Sequence, residues 1–165
     1  MPPDADWQIR LNAVDWSHFH TIYGLATKVP EQIERLHSPD ETIALSAVAD
    51  LWAGLCHKNV QMASAALPAL PFILEVLPSR NDKVTAEILD MLVAFAVTTD
   101  PVRMQRFASA VGKRRTPLPG WVEELRGALK TALPRIAVFA AHEDPTIAEL
   151  AKMFADELGK DASSA

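Results

Sequence analysis

An all-α fold is predicted for this chain: a right-handed superhelical stack of antiparallel helix pairs forming one domain over residues 1–165. Three observations predict it. VPEQIERL at 29–36, LPFILEVL at 70–77 and LPRIAVFA at 133–140 each open on an apolar residue followed by proline, and a β-branched residue stands fourteen positions after the opening one: Val29 to Ile43, Leu70 to Val84, Leu133 to Ile147. An Asp or Asn lies in the polar turn between. A recurring unit of this size implies stacked helix pairs, each too small to bury its own apolar face. Apolar residues make up 49% of the chain with only six glycines, a balance that favours helix. The chain carries no alternating run of β-branched residues, so no sheet is expected.

The elements follow in order. Residues 1–6 and 160–165 are polar or small and are expected to fray. Residues 7–24 hold Trp7, Ile9, Leu11, Val14, Trp16, Phe19, Ile22 and Tyr23, a dense apolar set that suits a cap over the open end of the first unit. The first unit, 28–56, has a capping box at Ser38-Pro39-Asp40-Glu41 that starts its second helix, and Ile43, Ala47, Val48, Leu51, Trp52 and Leu55 then share one face. The second unit, 61–98, is apolar almost all round in both helices, which places it mid-stack. An insertion over 99–120 contains a short helix opened by Asp100-Pro101 and closed by GKRRTPLPG. The third unit, 121–158, starts its last helix at Asp144-Pro145, where Ile147, Leu150, Ala151, Phe154 and Leu158 face away from a charged side, as an end helix requires. Pro71 and Pro134 stand inside helical runs, where proline costs about 3 kcal/mol, so a bend is expected at each.

Charge and cysteine content narrow the function classes. A net charge of −5 repels phosphate backbones and anionic lipid surfaces, so neither nucleic acid nor membrane is an expected partner. Cys56 is the one cysteine, so no intrachain disulfide forms, and its setting in WAGLCH reads as a buried small residue. The opening MPPDADWQIR carries acids where a secretory signal carries lysines, and no apolar stretch reaches about 18 residues, so a soluble cytoplasmic protein is expected.

The proline-bearing first helix, the turn acid and the second helix opening on Val or Ile together resemble the HEAT repeat, over residues 28–56, 61–98 and 121–158. Where that family places Arg after the β-branched residue, this chain has Ala44, Thr85 and Ala148. Asp15, Trp16, Phe19, Thr21, Tyr23 and Gly24, then Trp52, Leu55, Cys56 and His57, then Ala66, Leu70, Pro71 and Phe72, are similar to segments of short bacterial HEAT-like proteins. Some of those resemble immunity proteins of polymorphic toxins, and the resemblance implies a toxin as partner.

Candidate chemistry is sparse. His18 and His20 are two apart, which on a helix points them to different faces, and no third ligand is near, so no metal is expected. Cys56 and His57 are sequence neighbours, which rarely have the geometry that activates a thiolate; His57 reads instead as a residue capping helix-end carbonyls. No catalytic residue and no cofactor are expected. Arg103, Arg106, Lys113, Arg114 and Arg115 form the one basic cluster, a solvated loop or a grip for an acidic group. Asp50, Glu87, Asp90, Glu149 and Asp156 lie on the second helices of the units, which in such stacks line the concave side. These ten residues are the expected partner-binding set.

A non-catalytic protein-binding module follows, most concretely an immunity-type protein that neutralises a basic toxin domain. Two alternatives stand beside it: a helical-repeat DNA glycosylase, which the acidic balance disfavours, and a scaffold or regulatory subunit with a housekeeping partner.

Overall fold

The computed structural model describes residues 6–110, 112 and 119–163. The chain is mostly helical. Helices α1 (Asp6–Ala13), α2 (Val29–Leu36), α3 (Glu41–Leu55), α4 (Ala66–Val76), α5 (Asp82–Thr98), α6 (Pro101–Ala110), α7 (Gly120–Thr131), α8 (Leu133–Ala137) and α9 (Pro145–Ser163) are joined by tight turns and short 3-10 segments. Residues 160–163, expected to fray, continue α9.

Two rows of helices form around one core. In one row α3 packs on α5 and α5 on α9; in the other α2 packs on α4 and α4 on α7. The rows meet where α2 lies on α3 and α8 on α9. The central position of α5 follows from its sequence: Val84, Ile88, Leu89, Met91, Leu92, Val93 and Phe95 leave it almost no wet side, and all are buried. Burying a side chain of that size contributes about 1.5–3 kcal/mol, which makes α5 the main stabilising element.

Ile43, Val84 and Ile147 stand at the same distance from the start of their helices. Asp40 and Asn81 are N-caps whose side chains accept from the N–H groups of Ile43 and Val84, and the Asp144 carboxylate accepts from Thr146, one residue before Ile147. Each β-branched residue is thus the third residue of its helix. Burial differs: Val84 and Ile147 are in the core, whereas Ile43 is 42% exposed and Ala44 is buried in its place.

Several expectations are corrected. The cap of α3 is Asp40, not Ser38, because the Ser38 hydroxyl accepts from the Asp40 N–H one step earlier. Pro134 does not bend a helix from within. The chain breaks between α7 and α8 at Ala132, and Pro134 sits in the first turn of α8, where its missing N–H needs no partner. Pro71 is interior to α4, as the sequence implies, and stands on its exposed side. In the segment 7–24 Leu11 and Trp16 are buried, but Ile9 and Tyr23 stand in solvent.

The expectation of no sheet also fails in a small way. β1 (His20–Thr21) pairs antiparallel with β2 (Gly24–Leu25), and β3 (Cys56–His57) with β4 (Gln61–Met62). Strands of two residues are too short to show an alternating pattern, so only their turns could reveal them. Lys58 and Asn59 turn the second hairpin at φ 49° and 56°, a region Asn tolerates.

Candidate protein-binding face

Hairpin β1–β2 is held by the polar groups of its neighbours. The Thr21 hydroxyl donates to the Gly24 carbonyl at 3.2 Å and accepts from the Tyr23 N–H at 3.1 Å. The Ile22 N–H donates to the Gly54 carbonyl at 2.8 Å, tying the turn to the last turn of α3, and the His20 N–H donates to the Ser64 hydroxyl. Gly24 has φ +135°, a conformation that side-chain-bearing residues rarely adopt, so glycine is needed to close the turn. The outcome is a fixed loop that leaves Tyr23 78% and Leu25 56% exposed.

Behind that loop lies a cleft of about 650 Å³ between the hairpin, α2 and α3. Its charged groups come from Lys28, Glu31, Arg35 and Asp50. Arg35 reaches across from α2 to α3, with Nη2 on Asp50 Oδ2 at 2.5 Å and Nη1 on the Ser46 hydroxyl at 3.4 Å. Asp50 is therefore already engaged, and half of its side chain remains open to solvent.

The other expected acids, Glu87, Asp90, Glu149 and Asp156, are all exposed. Glu87 lines a second, shallower groove with Leu45, Asp82, Lys83, Asp144 and Thr146, where α3, α5 and the start of α9 meet. Partial desolvation pushes the Asp90 carboxyl above its usual range. Asp50 and Glu87 thus belong to separate depressions. Arg106 lines a third with Val102 and Gln105 on α6, a helix with no buried residue that also carries the exposed Arg103. Lys113, Arg114 and Arg115 lie outside the described residues.

The remaining candidates have structural surroundings. Cys56 is 2% exposed with its sulfur 3.3 Å from the Thr98 hydroxyl, and burial pushes its thiol up, the opposite of what a nucleophile needs. His57 lies in β3 and does not cap α3; the Cys56 N–H closes that helix on the Trp52 carbonyl. His18 Nδ1 is 3.0 Å from Asp15, and His20 is in β1. Among the described residues no helix is long and apolar enough to cross a membrane.

Sequence reasoning assigned Tyr23 to the apolar cap and missed the cleft beside it. The available signal was an aromatic residue directly before Gly24 in a Thr-containing turn, which marks a loop tip more strongly than a core position. Compared with known proteins, the chain is matched by no family model, no curated protein and no solved structure.

Proposed function

We propose that this chain is a non-catalytic module that binds another protein, built as a HEAT-like stack of helix pairs, and most concretely an immunity-type protein that neutralises a basic toxin domain. One observation carries the reading: Tyr23 and Leu25 project from a hydrogen-bonded hairpin beside a cleft containing Asp50. A rigid exposed aromatic loses little conformational freedom on binding, and Tyr is enriched among the few residues that dominate interface energies. The two-row helix order and the recurring third-residue Ile or Val support the stacked-pair description. The acids of α3, α5 and α9, with a net charge of −5, favour a cationic partner, for which they would speed encounter and set register.

The reading is tested by placing a photo-crosslinking residue at position 25 in living source cells, with the exposed position 138, away from the proposed face, as control. A partner that crosslinks at 25, is identified by mass spectrometry and then binds the pure protein directly supports the module. The toxin version requires in addition that the partner alone arrests growth and that this chain relieves the arrest. Equal crosslinking at 25 and 138, or none at 25, contradicts the assignment of the face.

A further inference from the structure

We propose that a separate cleft, between α1, the turn joining α2 to α3 and the segment joining α4 to α5, binds an oxyanion, a carboxylate or a phosphate, on Arg80. The cleft has a volume of about 850 Å³ and is lined by Trp7, Arg10, His37, Glu75 and Arg80 among others. Its two arginines are in opposite situations. Arg10 is saturated: Nε meets Asp6 at 3.1 Å, Nη1 and Nη2 meet the two Glu75 oxygens at 2.7 and 3.1 Å, and the guanidinium lies over the Phe72 ring. Both acids of the cleft are thereby turned toward Arg10.

Arg80 has no carboxylate within ion-pair distance among the described residues. Its one hydrogen bond there is from Nη1 to the Ser38 carbonyl, and its Nε is buried without a partner. Beside it the His37 imidazole is stacked on Trp7, ring centroids 3.9 Å apart and planes 14° from parallel, with the Phe72 backbone also against it. Burial lowers the proton affinity of both Arg80 and His37. A guanidinium drawn partly out of water with one neutral acceptor is costly, and buried polar atoms without partners are uncommon in folded proteins. An oxyanion in the cleft supplies the missing counter-charge to the Nη nitrogens, while the buried Nε stays out of its reach; the planar fork of Arg matches carboxylate and phosphate oxygens in pairs. Trp7 and Pro39 add an apolar wall, which suits an oxyanion carried on an organic group. The site is distinct from the Tyr23 face and does not depend on the protein-binding reading.

The experiment follows the arginine Nε–H resonances of the full chain by NMR while inorganic phosphate or sodium acetate is added at constant ionic strength. The Arg80 resonance and the Trp7 indole N–H are expected to shift and saturate with at least one of the two, while exposed Arg103 does not. Phosphate alone saturating identifies a phosphate site, and acetate alone a carboxylate site. In Arg80→Gln, with a native amide spectrum, the affinity falls by at least about tenfold. Shifts at Arg80 that stay linear and match those at Arg103 overturn the proposal even if the variant does not fold; equal affinity in a folded Arg80→Gln overturns it as well.

Discussion

Arg126 donates from Nη1 to the Ala96 carbonyl at 2.9 Å, closing the end of α5 with a side chain from α7. The same nitrogen meets the Thr99 hydroxyl at 3.2 Å, and Nη2 meets the Glu157 carbonyl of α9 at 3.2 Å. Only 5% of the residue is exposed. One guanidinium therefore joins three helices through backbone carbonyls, and at the C-terminal end of α5 the helix dipole also favours a positive charge.

Arg126→Met keeps much of the packing and removes these donors. Leaving the buried carbonyl of Ala96 and the Thr99 hydroxyl without their arginine donor is expected to destabilise the protein by about 2–4 kcal/mol. Urea denaturation measures it, and a loss under about 1 kcal/mol would show that water replaces the arginine at no great cost.

Core truncation should follow burial. Leu92→Ala in α5 and Leu74→Ala in α4, both in the core, are expected to cost about 2–5 kcal/mol each, and Lys152→Ala on the exposed side of α9 less than about 0.5 kcal/mol. Similar losses for all three would mean that the outer side of α9 is covered.

The stacked His37 makes stability depend on pH with a definite sign. Burial is the largest influence and pulls its pKa below the ordinary 6.5, so the folded imidazole takes a proton less readily than the unfolded one. At about pH 7.5 and above both states are essentially neutral and this group adds no slope. As pH falls through 6.5 the unfolded chain is protonated first, and stability drops until pH is below the folded pKa. Denaturation midpoints at pH 7.5, 6 and 5, in buffers without carboxylate or phosphate, should fall more steeply for the wild type than for His37→Phe. Parallel profiles would remove His37 as the cause.

Glu87→Lys with Asp90→Lys tests electrostatic guidance without disturbing the Arg35–Asp50 pair. With a cationic partner the association rate should fall by about tenfold or more at low salt and converge with wild type as salt is raised, while dissociation changes little. Unchanged association and salt dependence would make these acids a solvated face and nothing more.

What the sequence could tell was set by local chemistry. Asp100-Pro101 and Asp144-Pro145 identify the starts of α6 and α9, and both carboxylates accept the expected N–H bonds in the structure. The third-residue positions of Ile43, Val84 and Ile147 follow from the same local logic. Burial does not: Ile43 is exposed while its counterparts are not, because neighbouring helices decide which side is covered. Arg126 was unreadable for a related reason. An arginine in GWVEELRGALK looks like an ordinary solvated charge, and only the approach of α5 and α9 turns it into a buried donor. The cleft beside Tyr23 joins residues more than twenty positions apart, from Thr21 to Asp50, so no single motif announces it.

The affinity of the identified partner for Tyr23→Ala, set against Val138→Ala, tests the central claim most directly, since both residues are exposed and only Tyr23 belongs to the proposed face. Calorimetry should show Tyr23→Ala weakening binding by about thirtyfold, the loss of a 2 kcal/mol anchor, and Val138→Ala by less than about twofold. Wild-type affinity in Tyr23→Ala, or a large loss in Val138→Ala, would place the interface elsewhere and contradict the account.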